Sequence, residues 1–254
     1  MITGASSGIG AATAKLLGSQ GYRLALAARR EPELKAVARA ASASAITVVT
    51  DVTRYADMEN LLDTAIRSFG QIDIWINNAG RGINKSVLEL TDEDLDAMMS
   101  VNFKAAFYGI KCIVPLFQAR GEGHLINISS FLGRVPIATY RSAYNAAKSA
   151  LNALTANLRV DLRKTHPRIQ VSVIMPSKVT TEFAARAIGG PPLTAGRGGS
   201  VVVQSPEEVA AVIVSVIEKP VAEMYTNPAL KNIVQQYYQD VAAFEEKAGF
   251  SFPV

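Results

Sequence analysis

The sequence predicts a doubly wound α/β domain, and three observations carry that prediction. Short, nearly continuous apolar runs of strand type alternate along the chain with longer segments of helical period, the pattern of a parallel sheet covered on both faces. The first run passes straight into a turn containing Gly4, Gly8 and Gly10, and a helical segment opens behind it. No period of 20–50 residues repeats, which removes solenoids and propellers.

In order along the chain, residues 1–3 form a first strand that is short against the usual five or six. It reads as truncated, or as the end of a strand that begins upstream. Residues 22–28, 45–50, 73–77, 124–129, 169–175 and 223–226 read as further strands. Helical patterns cover 8–19, 54–69, 92–120 (two helices or one bent one) and 142–164. Alternation of this kind closes a sheet by right-handed crossovers, so a single domain over 1–254 is expected. The stretch 187–205 breaks the rhythm with Gly189-Gly190-Pro191-Pro192 and Gly196-Arg197-Gly198-Gly199-Ser200. It is too flexible in composition for an element and too long for an ordinary connection, and in an enzyme it would belong to a substrate lid over about 182–205.

Composition narrows the functional classes. With 254 residues, 49% of them hydrophobic, the chain buries a sizeable core. The net charge is +4, but only 19% of residues are charged, too dilute for a nucleic-acid or membrane surface. The excess lies in residues 1–200, with 23 Lys and Arg against 15 Asp and Glu, while residues 201–254 carry 3 against 7. One cysteine, Cys112, forms no internal disulfide and with two histidines supplies no zinc set. The longest apolar run, 209–217 interrupted by Ser215, falls short of the roughly 18–20 residues of a membrane span. The first residues lack the basic and apolar parts of a signal peptide. A cytoplasmic protein without nucleic-acid or membrane partners is expected.

Thr3-Gly4-Ala5-Ser6-Ser7-Gly8-Ile9-Gly10 sits between a strand and a helix. Glycines there bring backbone close to a ligand, and the helix N-terminus offers free N–H groups to a pyrophosphate. The spacing is not G-x-G-x-x-G, and alone it would equally suit a plain turn. The second strand ends Ala28-Arg29-Arg30, where an acidic residue would otherwise hold the adenosine ribose of NAD. Arg29 and Arg30 could instead grip a 2′-phosphate, or stand solvated beside Glu31. The first reading predicts NADP(H).

Tyr144 and Lys148 lie four apart in a helical pattern, on one face and about one turn from each other. An ammonium beside a phenol stabilises phenolate, and such a pair exchanges a proton with an alcohol or carbonyl oxygen. Standing alone, the pair also fits a solvated helix face. Taken together with the glycine turn, Asp51-Val52, Asn77-Asn78-Ala79-Gly80, Asn102, Ser130 and Pro176 with Val179 and Thr181, it resembles the short-chain dehydrogenase/reductase family, motif by motif and in that family's order. The resemblance implies a Rossmann-type, mostly parallel seven-stranded sheet and a nicotinamide cofactor. It implies cofactor contacts from Gly4, Ser6, Ser7, Gly8, Ile9, Gly10, Asp51, Val52, Asn78, Ala79, Gly80, Tyr144, Lys148, Pro176, Val179 and Thr181, and a catalytic set of Asn102, Ser130, Tyr144 and Lys148. The family pattern Ser-x-x-Gly is met by Ser130-Phe131-Leu132-Gly133, which selects Ser130 and leaves Ser129 structural. Ser177 stands where a glycine often follows the proline, and Ser7 where some NADP-preferring relatives are basic.

Three functions then follow: an NADP(H)-dependent carbonyl reductase or alcohol dehydrogenase acting through Tyr144; a 3-oxoacyl-thioester reductase, if Arg81 and Arg134 form a basic rim; and a dinucleotide-binding sensor without turnover. Arg81, Phe131, Arg134, Pro136, Tyr140 and Ser177 are the candidate pocket residues. Phe103, Phe107, Leu151, Leu154 and Leu158 predict either core packing or the faces of a homodimer or homotetramer.

Overall fold

Seven parallel strands, β1 (Ile2–Thr3), β2 (Ala25–Ala28), β3 (Ile46–Val49), β4 (Ile74–Asn77), β5 (Gly123–Ile128), β6 (Ile169–Met175) and β7 (Glu223–Tyr225), form one sheet in the order β3-β2-β1-β4-β5-β6-β7. The computed structural model describes residues 1–190 and 203–247; half of the expected lid, 191–202, therefore lies outside the described residues.

The crossover helices explain the near-continuous apolar strands. On one face pack α1 (Gly8–Ser19), α2 (Glu31–Ala41) and α7 (Pro206–Glu218), joined to the sheet by Leu17, Leu34, Val37, Val209 and Ile213. On the other face pack α3 (Tyr55–Phe69), α5 (Ala105–Arg120) and α6 (Ser142–Arg163), through Met58, Leu61, Ile113, Phe117 and Leu162. Both faces of the central strands are thus removed from water. Cys112 belongs to this second layer and is buried. α8 (Ala229–Gln239) and α9 (Val241–Lys247) follow β7, and Leu230 and Tyr237 close over Phe131 and Val135.

The expected helix over 92–120 is continuous but not uniform. α4 (Asp92–Met99) leads into a π-helical turn, Ser100–Lys104, and then into α5; the Ala105 N–H reaches back to the Ser100 carbonyl. A π-turn inserts one residue into the helix and re-aims the side chains around it. Here the re-aimed residue is Asn102, which is buried.

The chain passes from β1 to β2 and β3 on one side, then returns to β4 on the other side of β1. Such a reversal opens a crevice at the C-terminal ends of the two central strands, where open α/β sheets bind ligands. The register Ile2 to Leu26 and Ile2 to Ile76 places the turn after β1 and the Asn78 segment after β4 side by side at that edge.

Candidate active site

At the crevice, Asn78 locks the glycine turn. Its Nδ2 donates to the Thr3 carbonyl at 2.9 Å and the Gly4 carbonyl at 3.3 Å, while its N–H donates to Thr3 Oγ1 at 3.0 Å. The packing leaves no room for a side chain at Gly10, whose Cβ would lie 2.5 Å from the Gly4 carbonyl oxygen and 2.6 Å from Asn78 Nδ2. Ser7 begins α1 without a side-chain cap, and the first turn contains no acidic residue. The positive end of α1 is therefore open to an anion, and a dinucleotide pyrophosphate fits this cradle. A Cβ on Gly8, whose φ is +54°, would approach Thr181 Cγ2 at 3.2 Å, so the segment after β6 faces the turn.

The two arginines after β2 behave differently. Arg29 is exposed. Arg30 folds back to the turn, its Nη2 donating to Ser7 Oγ at 2.7 Å and Ser6 Oγ at 3.1 Å, and its Nη1 meets Glu33 at 3.1 Å and Glu182 at 3.9 Å. Asp51 accepts from the N–H and hydroxyl of Thr53 at 3.0 and 2.7 Å. Burial pushes its carboxyl upward, but the Thr53 bonds and the charges of Arg29 and Arg54 outweigh this and hold it below the ordinary value. Val52 is buried behind it.

At the reacting end, Ser130 follows β5, and its Oγ accepts the Leu132 N–H at 3.1 Å. That bond uses one lone pair and leaves the hydroxyl proton free to donate, and Ser130 stands close enough to the Tyr144 phenol to lower its pKa. Ser129 turns the other way, donating to the Lys148 carbonyl at 3.3 Å. Lys148 stands one turn after Tyr144 in α6, its Nζ donating to the Ile128 carbonyl at 2.9 Å and lying 5.7 Å from the Tyr144 ring centroid. Asn102 donates to the Arg81 carbonyl at 2.9 Å and the Met98 carbonyl at 3.1 Å, and accepts from the Arg81 N–H at 3.2 Å. Gly80 sits between, since a Cβ there would lie 2.9 Å from Asn102 Oδ1 and 3.8 Å from Lys148 Nζ. A cavity of about 10 Å³ is lined by Asn102, Lys148, Thr3, Asn77 and Ala79 among others, close to the size that admits a single water.

The electrostatics depart from the expectation that Lys148 lowers the Tyr144 pKa. Burial raises Tyr144 above the ordinary phenol value, and what opposes the rise is the Ser130 hydrogen bond and the charge of Arg141. Burial also lowers Lys148, to about 7. A low-dielectric site penalises both charged forms at once, which the spacing of two residues in a sequence does not reveal.

On the far side, the Pro176 carbonyl accepts the Phe131 N–H at 2.9 Å, Val179 pairs with Gln204, and Thr181 Oγ1 accepts from the Phe183 N–H at 3.3 Å. Phe183 packs edge-on against Tyr144, ring centroids 5.5 Å apart. Several expected pocket residues lie elsewhere. The turn Phe131–Gly133 directs Phe131 into the cluster beneath α8 and Arg134 into an ion pair with Glu223. Arg81 is exposed and serves Asn102 through its backbone. Leu151 is core, with Leu154 and Leu158 packed beside it, whereas Phe107 remains 39% exposed. Sequence reasoning missed Arg141, which is buried one turn before Tyr144; the signal available was its i, i+3 spacing to the tyrosine.

The geometry has counterparts among known proteins. Residues 1–188 match the family model described as short chain dehydrogenase. The uncharacterized oxidoreductase YxnA of Bacillus subtilis is 33% identical over 237 residues, covering 92% of this chain and 66% of that protein. A short-chain dehydrogenase/reductase from Burkholderia phymatum, solved in complex with NAD, superposes with a TM-score of 0.84 at 27% identity, covering 100% of this chain and 96% of that one. A short-chain dehydrogenase from Sphingobium yanoikuyae, solved in complex with NADPH, superposes with a TM-score of 0.78 at 26% identity, covering 95% and 94%. The chain belongs to the short-chain dehydrogenase/reductase family of NAD(P)-dependent oxidoreductases. Among the described residues no helix is long and apolar enough to cross a membrane.

Proposed function

We propose that this protein is an NADP(H)-dependent carbonyl reductase or alcohol dehydrogenase in which Tyr144 is the general acid and base. The observation that carries the reading is the placement of Ser130 close enough to the Tyr144 phenol to lower its pKa, with Lys148 one helical turn on, at the sheet edge that also holds the glycine turn. Gly4, Ser6, Ser7, Gly8, Ile9 and Gly10 hold the pyrophosphate, Asp51 and Val52 the adenine, Asn78, Ala79 and Gly80 the floor beside the dinucleotide, and Pro176, Val179 and Thr181 the nicotinamide side. When bound, the nicotinamide supplies or accepts the hydride at the carbonyl carbon. Ser130 donates to the carbonyl oxygen, where negative charge grows as the bond polarises. Tyr144 gives that oxygen its proton in reduction and takes it back in oxidation. Lys148 reaches the ribose and restores the proton to Tyr144 through the water-sized cavity that Asn102 helps to line.

The NADP(H) preference rests on Arg30, whose guanidinium already lies between the two serines of the turn. Arg29, exposed beside it, adds charge without a fixed contact. The thioester reading loses one of its two expected cations, because Arg134 is spent on Glu223. We also read the chain as a cytoplasmic homodimer or homotetramer, since Phe107, Leu116 and Val160 expose apolar surface on α5 and α6. A panel of ketones, oxo acids, 3-oxoacyl thioesters and secondary alcohols, followed by absorbance with NADPH and NADH, tests the assignment. Turnover with NADPH of at least one carbonyl compound is expected; no turnover across the panel would favour a non-catalytic dinucleotide-binding role.

A further inference from the structure

One cation beside the reacting atoms has no part in the chemistry above. Arg141 immediately precedes α6 and is only 8% exposed. Among the described residues its one side-chain hydrogen bond goes to the Ile83 carbonyl, at 3.3 Å, and no carboxylate lies within 4 Å. The other half-buried arginines of the fold are neutralised: Arg30 by Glu33, Arg120 by Asp73, Arg134 and Arg159 by Glu223. Arg141 instead lies against two rings, its guanidinium carbon 5.4 Å from the Tyr140 centroid and 5.7 Å from that of Phe183. Phe183 is the ring that packs on Tyr144, so the guanidinium, Phe183 and the proposed proton donor share one wall. Its charge acts on the phenol.

One carbonyl and two ring faces leave the other donors of this guanidinium without a protein partner among the described residues, and none of them is sealed from solvent. Its planar fork matches a carboxylate, which it binds through two parallel hydrogen bonds. Arg141 is the N-cap of α6, three residues before Tyr144, and its guanidinium and the Tyr144 ring both lie against Phe183. A substrate whose oxygen faces Tyr144 therefore brings to Arg141 a group only a few bonds away.

We propose that Arg141 is a specificity-determining residue that binds the carboxylate of the substrate, so that the preferred substrates are 3-oxo acids and the corresponding 3-hydroxy acids. This rests on the oxidoreductase reading of the same site. Arg81 and Arg134, the cations that sequence spacing suggested for an anionic substrate, are not needed for it.

The test compares 3-oxobutanoate with its methyl ester, which has the same reacting carbon and no charge. Wild-type kcat/KM with NADPH is expected to favour the acid by at least tenfold, and Arg141→Gln to reduce that acid-to-ester ratio by about 10- to 100-fold, the range for a charge-assisted hydrogen bond, mainly through KM. Equal losses on both substrates, or an unchanged ratio, would overturn the proposal and leave Arg141 a packing residue. Should Arg141→Gln not fold, Arg141→Lys keeps the cation without the fork and is expected to lower the ratio at least threefold; an unchanged ratio overturns the proposal equally. Calorimetry of 3-hydroxybutanoate and its methyl ester on the enzyme saturated with NADP+ separates recognition from turnover. Preferential binding of the acid, lost in the variant, without turnover of either substrate would sink the catalytic reading and keep Arg141's role. Equal binding of acid and ester would sink Arg141's role.

Discussion

The two ends of the crevice treat positive charge in opposite ways. At the β2 edge Arg30 is partly exposed and engaged by two hydroxyls and two carboxylates. At the β5 edge Lys148 and Arg141 are buried, held by main-chain carbonyls and without a carboxylate partner among the described residues. Exposed ion pairs are weak and exchange readily, so a cation of the first kind is available to an incoming phosphate at little energetic loss. A buried, unpaired cation raises the energy of the fold, and its value lies in what it does to neighbouring protons and to an arriving anion. The first arrangement suits binding, the second chemistry.

The largest effect that can break this contrast is at Tyr144. Tyr144→Phe removes the proposed proton donor while keeping the ring against Phe183, and kcat is expected to fall by about 10²- to 10⁴-fold, the usual share of general acid–base catalysis. Retention of more than roughly a tenth of wild-type kcat would end the Tyr144 assignment. Melting temperature should be nearly unchanged, which distinguishes lost chemistry from lost structure.

Lys148 sharpens the comparison because activity and stability are expected to move in opposite directions. Its pKa falls from 10.5 to about 7 on burial. Between those values the unfolded chain holds the proton and the folded chain does not, so stability rises with pH across the window. The destabilisation by the buried amine is accordingly complete below about pH 7 and relieved by pH 10.5. Lys148→Met should abolish turnover yet stabilise the fold at pH 6–7 by about 1–4 kcal/mol, the range seen when apolar groups replace buried ions, or roughly 2–4 °C for each kcal/mol. The gap from wild type should close as pH approaches 10. A variant that melts lower than wild type at every pH would show that the bond to Ile128 outweighs the desolvation of Lys148.

These energetics mark the limit of what was legible in the sequence. The strand and helix alternation was readable because apolar period depends on local residues alone, and α1 falls at the expected 8–19. The choice between Ser129 and Ser130 rested on the Ser-x-x-Gly pattern of the family resemblance, and the fold gives the two hydroxyls different partners, the Lys148 carbonyl and the Leu132 N–H. The π-turn under Asn102 was not readable, since it changes one backbone bond without changing the apolar pattern. Nor was the upward shift of Tyr144, because residue spacing identifies a neighbouring ammonium but not the burial that outweighs it. Arg141 stayed hidden for a related reason: its partners are rings and a carbonyl, distant in sequence for Phe183 and Ile83, and no acidic residue nearby marks it as placed.

At the exposed end, Arg30→Ala should lower kcat/KM for NADPH by about 10- to 100-fold, as expected for a charge-assisted hydrogen bond to phosphate, and leave NADH within a few-fold. Melting temperature should shift little, since surface pairs contribute about 0–1 kcal/mol. Equal loss with both dinucleotides would mean that Arg30 supports the glycine turn through Ser6 and Ser7 and does not recognise the 2′-phosphate. Wild-type kcat/KM for NADH at or above that for NADPH would dispose of the preference altogether.

The smallest effect, expected at Ser129, is the most discriminating for the reacting end when set beside its neighbour. Ser129 and Ser130 are adjacent and both buried, yet one hydroxyl donates to the α6 backbone while the other lies near the phenol whose pKa it lowers. Ser129→Ala loses a single buried hydrogen bond, about 1 kcal/mol of stability, and kcat should stay within about threefold. Ser130→Ala removes the proposed donor to the developing oxyanion, a change that commonly lowers kcat by about 10²–10³-fold, with a similar or smaller change in melting temperature. Measured side by side, the two variants separate burial from chemistry at positions that differ by one residue. A loss of kcat greater than about tenfold in Ser129→Ala, with Ser130→Ala nearly silent, would exchange the two roles and move the oxyanion donor to the hydroxyl that now donates to the Lys148 carbonyl.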